Sequence, residues 1–264
     1  MAFTRSIVAA AAAALTTFAA VTTVATPAAV AADAQHTIDL LVVYPQSVVK
    51  ARGSRGAADA AVRKSVEGMN KALSDSRIDG HVNLAGTEVI DIPQGSHNEL
   101  LKWVSEDSHV ASLRDSHKAD LVSLVVPGVA GIGHQPRLPL GKNTSKQAFS
   151  VVGNDWLEPI PRKGEAGVFA HELGHNLGAA HDWATVPDAG STPEAHGFAS
   201  PDGRVDIMAY MNSPICGSKC HRIAMYSNPD VTVEGKPFGT RGGDHPSDIA
   251  SVFARTIPEV AAYR

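Results

Sequence analysis

One segment, His171-Glu172-Leu173-Gly174-His175-Asn176-Leu177-Gly178-Ala179-Ala180-His181, constrains what this chain can fold into more than any other. On a helix, His171 and His175 stand one turn apart on the same side, so both rings can reach a single ion at the roughly 2.0–2.1 Å of a zinc–nitrogen bond. Phe169, Leu173 and Leu177 then form a ridge on nearly the opposite side, which reads as the core face. A helix continued to His181 would carry that ring about 280° around and about 15 Å along the axis, out of reach of the same ion. The spacing therefore predicts that the helix stops between His175 and His181. Gly178 stands where a left-handed residue can stop it.

Three ligands, His171, His175 and His181, leave a fourth position open to water, the arrangement of a catalytic rather than a structural zinc. Glu172 follows the first ligand and projects beside the metal, where its carboxylate can take a proton from the attacking water and return it to a leaving amine. The chemistry implied is peptide hydrolysis with Glu172 as general base and one Zn2+ as cofactor. The full pattern arises by accident in on the order of one chain in ten thousand of this length.

Around this segment the chain alternates strands and helices. Ile38 to Tyr44 is nearly all apolar and stops at Pro45, as does Leu121 to Val126 at Pro127, and both read as strands covered on two faces. Val62, Val66, Met69 and Leu73 recur at helical intervals, Val82 to Ile90 alternates weakly as a strand, and a helical stretch surrounds Leu100, Leu101, Val104, Val110 and Leu113. This order predicts an α/β (α+β) architecture with right-handed crossovers. Residues 128–145, rich in Gly, Pro and Lys, read as a long surface loop, and Ala148 to Val152 as a short edge strand. Beyond His181 the patterning fades until Ile249, Val252, Phe253, Ile257 and Val260 mark a closing helix, bent or shortened at Pro258.

Of the 264 residues, 44% are apolar and 19% charged, enough to bury a core, and a net charge of −4 gives no basic footprint for nucleic acid. Residues 1–31 carry Arg5, an uncharged Ala, Val and Thr run, and small residues at Ala29-Val30-Ala31. That layout is a secretory signal peptide, leaving residues 32–264 as an exported, extracellular catalytic domain with no membrane span. The two cysteines, Cys216 and Cys220, favour a disulfide in such a compartment. A zinc site built on them with His221 is the rival, but lacks a fourth ligand and the usual spacing.

His171 to His181 resembles the extended zinc motif of the metzincin peptidases. Ile207-Met208-Ala209-Tyr210 resembles their methionine turn, which implies that Met208 is an apolar floor beneath the ligands; Met211 competes for that place. The resemblance offers Tyr210 as a group near zinc or the oxyanion, against plain packing. Thr37 to Tyr44, Leu121 to Val126, the paired cysteines, Tyr226-Ser227-Asn228-Pro229 and the C-terminal Val260 to Arg264 are similar to bacterial reprolysin-like enzymes, including the peptidyl-Asp metalloendopeptidase family. The implied fold is a metzincin-like domain with a twisted, mainly parallel sheet and helices above the cleft (about residues 36–178). Below it lies a small irregular subdomain ending in a helix (about residues 179–264). His134, following Gly131-Ile132-Gly133, departs from the pattern at the upper rim, so an Asp preference is not carried over.

Strand one begins within about seven residues of the proposed cleavage site, with no upstream Cys, so any latency is expected to come from a separate proteinaceous inhibitor. Protein or peptide substrates and a monomer are the remaining expectations. His36, His81, His97, His109, His117, His196 and His245 lack metal spacing; Asp182 orients the His181 ring or caps a turn. Ca2+ at Asp202 and Asp206 has no supporting spacing, and a solvated loop is the simpler reading. A zinc-bearing binding or toxin-like protein with little turnover, and a zinc hydrolase of non-peptide amides, are the competing functions.

Overall fold

The computed structural model describes residues 36–157, 167–187 and 192–264; residues 1–31, read from sequence as a signal peptide, lie outside them. Strands β1 (Thr37–Tyr44), β2 (His81–Val89), β3 (Leu121–Val126), β4 (Gly131–Gly133) and β5 (Phe149–Gly153) form one sheet in the order β2-β1-β3-β5-β4. All pairings are parallel except β4 with β5. The alternation of β1 sorts its side chains by face: Ile38, Leu40, Val42 and Tyr44 enter one core, Leu41 and Val43 the other. β3 divides likewise, Leu121 and Val125 against Val122, Leu124 and Val126. Both faces are therefore roofed with helices, as the continuous apolar runs require.

On the first face lie helix α1 (Gln46–Arg52), α2 (Arg55–Asp75), α5 (Val168–Asn176) and α6 (Ile249–Val260). They contribute Val48, the Val62-Val66-Met69-Leu73 stripe, the Phe169-Leu173-Leu177 ridge, and Val252, Phe253 and Ile257. The second face takes α3 (His97–Glu106) and α4 (Ser108–Ser116), which present Leu100, Leu101, Val104 and Val110. These two arise from one apolar stretch because Asp107 is extended (ψ 128°) and its carboxylate caps Val110 N–H at 3.0 Å. α3 begins with a reciprocal capping box between Ser96 and Glu99.

Two expectations fail together. The loop of residues 128–145 contains β4, which pairs antiparallel with β5 and occupies the sheet edge. The segment read as an edge strand is β5, buried along its whole length between β3 and β4. Gly-Ile-Gly carries no periodicity of its own, so only the long-range pairing reveals it as a strand. Pro258 neither stops nor shortens the last helix, which runs two residues past it to Val260.

After α5 the chain is short-paired and irregular: β6 (Arg204–Val205) beside β7 (His221–Arg222), then β8 (Asn228–Val233) against β9 (Lys236–Phe238). Cys216 and Cys220 form the expected disulfide, S–S 2.01 Å, packed with Val205 and Ala209. Asp206, read from sequence as part of a solvated loop, is instead fully buried. Its carboxylate accepts the N–H groups of Met208 (3.0 Å), Ala209 (2.9 Å) and Ser227 (3.2 Å). Its oxygens are thus spent on the backbone rather than on Ca2+. Asp202 faces Arg204 and Lys236, at 3.0 and 2.8 Å.

Candidate metal centre and active-site cleft

α5 ends as its sequence requires. Leu177 is the last cap residue and Gly178 takes φ +94°, its N–H donating to His175 O at 2.8 Å while Ala179 N–H donates to Gly174 O at 3.0 Å. This paired closure turns the chain back on itself. His181 thereby returns to the two rings it could never meet on a straight helix.

The Nε2 atoms of His171, His175 and His181 form a triangle with every side 3.1 Å. His171 Nδ1 faces Ile207 O and His175 Nδ1 faces Ala179 O, each at 2.8 Å. A carbonyl can only accept, so both Nδ1 atoms carry the hydrogen and both Nε2 atoms present bare lone pairs. Lone pairs converging at that distance repel one another unless a cation lies between them. A 3.1 Å triangle also leaves a point about 2 Å from all three corners, close to a zinc–imidazole distance. Among the described residues this is the one group of His, Cys, Asp and Glu side chains arranged to hold a metal ion. Burial holds the His171 ring well below the usual imidazole range and brings His175 to about 4; His181 is lowered for the same reason. All three rings are neutral at pH 7, as ligands must be.

Glu172 is buried, and burial pushes its carboxyl up to about 8. Its side chain lies against β4. A Cβ on Gly131 would stand 2.6 Å from Glu172 Oε1, and one on Gly133 would stand 2.7 Å from Glu172 O. The bare backbone of those two positions is what admits Glu172 beside the strand, its carboxyl against Gly131 and its carbonyl against Gly133. Gly174, directly before His175, is constrained from below: its Cβ would stand 2.6 Å from Met208 Sδ. Met208 is fully buried there, while Met211 packs toward the disulfide.

Tyr210 stands 37% exposed, its ring 4.4 Å from that of His181. Asp182 does not turn toward the ring it follows. Its buried carboxylate accepts Tyr210 N–H (3.1 Å), Ser213 Oγ–H (2.8 Å) and Thr185 Oγ1–H (2.8 Å), tying the third histidine to the turn that carries Tyr210. Neither this carboxylate nor that of Asp206 has a sequence signal, because the backbone and hydroxyl groups they bind are brought to them by the fold. The three histidines, Glu172 and Tyr210 share a cleft of about 510 Å³ with Ile132, Trp156 and Arg222.

A three-histidine triangle beside a buried carboxylate, below the edge of a mostly parallel sheet, is the architecture of a metallopeptidase. The sequence model of metallo-peptidase family M12 (Reprolysin_5) matches residues 34–224, and the chain belongs to that family. It is similar to the peptidyl-Asp metalloendopeptidase of Xanthomonas campestris pv. campestris, 27% identical over 86% of this chain and 52% of that protein. The protein of the same name from Stenotrophomonas maltophilia K279a is 28% identical over 86% of this chain and 53% of its own length. The chain thus spans about half the length of the curated relatives it matches. Among solved structures, a chain in "Structure of a chaperone-substrate complex" superposes with a TM-score of 0.66 at 21% identity, covering 87% of this chain and 39% of that one. At that identity the likeness concerns the fold.

Proposed function

We propose that this chain is a secreted zinc-dependent endopeptidase in which His171, His175 and His181 hold the ion and Glu172 moves the proton. The observation that carries the reading is the triangle of lone pairs with a carboxyl beside it. Zinc bound there supplies a Lewis acid that polarises the scissile carbonyl and makes water a nucleophile near neutral pH. Glu172 takes the proton of the attacking water and hands it to the departing amine. Burial raises the Glu172 pKa and a nearby cation lowers it, so the carboxyl is poised to both accept and release a proton near neutrality. Tyr210, whose phenol burial keeps protonated, donates a hydrogen bond to the oxygen on which charge develops. Residues 1–31 serve as the export signal and residues 32–264 as the catalytic domain, a division the Cys216–Cys220 bond supports.

The substrate backbone is placed by β4. Gly153 N–H bonds Ala130 O at 2.7 Å and His134 N–H bonds Phe149 O at 3.1 Å, so residues 130, 132 and 134 turn their hydrogen-bonding groups toward β5. Gly131 and Gly133 turn theirs outward, to an edge that no described strand covers. An extended peptide adds there as a sixth strand, its carbonyls passing Glu172.

Casein digestion by the mature protein tests the reading, with and without a zinc chelator, beside Glu172→Gln. Cleavage should stop with chelator, and the variant should lose activity by about 10²–10⁴-fold while binding one zinc per chain. Equal cleavage by variant and wild type would remove Glu172 from its role.

A further inference from the structure

No helix or strand carries Tyr210. Its place beside the His181 ring is set instead by bonds to the backbone around it. Ser213 N–H donates to Tyr210 O at 3.1 Å and closes a turn over residues 210–213. One carboxylate clamps both ends of that turn: Asp182 Oδ2 accepts Tyr210 N–H, and Asp182 Oδ1 accepts Ser213 Oγ–H. Ser213 is fully buried, so no water replaces a partner that its hydroxyl or carbonyl loses.

The other side of the turn is held by residues 216–222. Ser213 O accepts the N–H of Gly217 at 2.8 Å and that of Cys216 at 3.2 Å, while Arg222 Nη2 donates to Ala209 O at 2.7 Å. The loop that supplies the first two donors has little apolar anchorage of its own. Gly217, Ser218 and Lys219 are exposed, whereas Cys216 and Cys220 are buried and joined to each other. The disulfide is therefore what keeps those N–H groups over Ser213.

We propose that Ser213 is a positioning residue for the reaction, passing to Tyr210 the geometry of the loop that Cys216 and Cys220 close. The inference rests on the reading of Tyr210 as donor to the developing oxyanion. Such a donor acts at about 2.7–3.1 Å, and a misplacement of about 1 Å can cost about 10²-fold in rate. The His171 and His175 rings take their orientation from Ile207 O and Ala179 O rather than from this turn, so the effect falls on turnover and not on the metal.

Steady-state kinetics on one peptide, with the mature zinc-loaded protein, test this. Tyr210→Phe should lower kcat by about 10²-fold. Ser213→Ala, and separately Cys216→Ala combined with Cys220→Ala, should each lower kcat by about tenfold at nearly unchanged KM, with one zinc still bound per chain. Added to Tyr210→Phe, neither change should lower kcat further. The cysteine variant leaves Ser213 in place and decides the matter if Ser213→Ala does not fold. A loss as large in the Tyr210→Phe background as in wild type, or no loss of kcat from either change, would overturn the positioning role. Equal kcat for Tyr210→Phe and wild type would remove this inference and the tyrosine's part in the reaction while leaving the metal and Glu172 in theirs. Absence of any zinc-dependent cleavage by wild type would overturn the peptidase reading itself.

Discussion

Up to Gly178 the cleft is held by apolar side chains at regular spacing; beyond it, by buried carboxylates that collect backbone N–H groups. α5 is fixed because Phe169, Leu173 and Leu177 sink into the same core as α2 and α6, which leaves His171, Glu172 and His175 no freedom of placement. The turn with Met208 and Tyr210 sinks Ile207 and Met208 into that core as well, but no periodic pattern sets its backbone. It is shaped by Asp206, which gathers three N–H groups, and by Asp182, which takes the N–H of Tyr210. A periodic pattern tolerates exchange of one hydrophobe for another, whereas a carboxylate that organises a loop has no substitute of equal reach. The later region should therefore be the more brittle to single changes.

Asp206→Ala is the sharpest way to break that contrast. Three buried donors would lose their acceptor, at a cost of about 2–5 kcal/mol in denaturant unfolding, whereas Val66→Ala in the regular core should fall at or below the low end of that range. Burial pushes Asp206 up to about 6, above its unfolded value, so the native protein binds the extra proton below that pH. Its contribution is fullest in acid and shrinks as pH rises through 6, and the gap between wild type and variant should narrow in the same direction. A gap that widens from pH 5 to pH 7 would contradict this.

Gly174→Ala probes the seam where the two regions meet. The added methyl would drive into Met208 Sδ, so about 1–3 kcal/mol of stability should be lost, along with zinc affinity, as calorimetry and metal titration would register. If affinity is untouched, the floor beneath the rings is not rigid and the two regions are less coupled than drawn.

The smallest effect concerns pH. Three ordinary imidazoles would lose about a thousandfold in zinc affinity between pH 7.5 and 5.5 through proton competition. Here burial lowers all three rings, so the free-base form persists into acid and the loss should be about tenfold or less by competition titration. A steep loss would mean that water reaches the rings more freely than their burial implies.

Much of the regular half was legible in residue order. β1 and β3 showed as apolar runs ending at prolines, and the break at Gly178 followed from the arithmetic of a helix that must return a third ring. What escaped was whatever depends on a distant partner. β4 looked like loop because glycine carries no pattern, and β5 looked like an edge because its other neighbour was hidden in that loop. Asp206 looked like a solvated loop acid, and Asp182 like a partner of His181 or a turn cap, because neither the burial of Asp206 nor the bonds from Tyr210 and Ser213 to Asp182 can be read from residue order. Gly174 passed as an incidental member of the histidine helix until Met208 was found beneath it.

The glycines of β4 have a further consequence. The atoms of Glu172 occupy the volume that side chains at positions 131 and 133 would fill, so the residue proposed to carry the proton is itself the wall behind β4. Decorating that rim to alter selectivity would evict the very group to which the proposed chemistry is assigned. On that proposal, change in what the cleft accepts is channelled to the far side of the strand and to the loops, where it can accumulate without silencing the reaction.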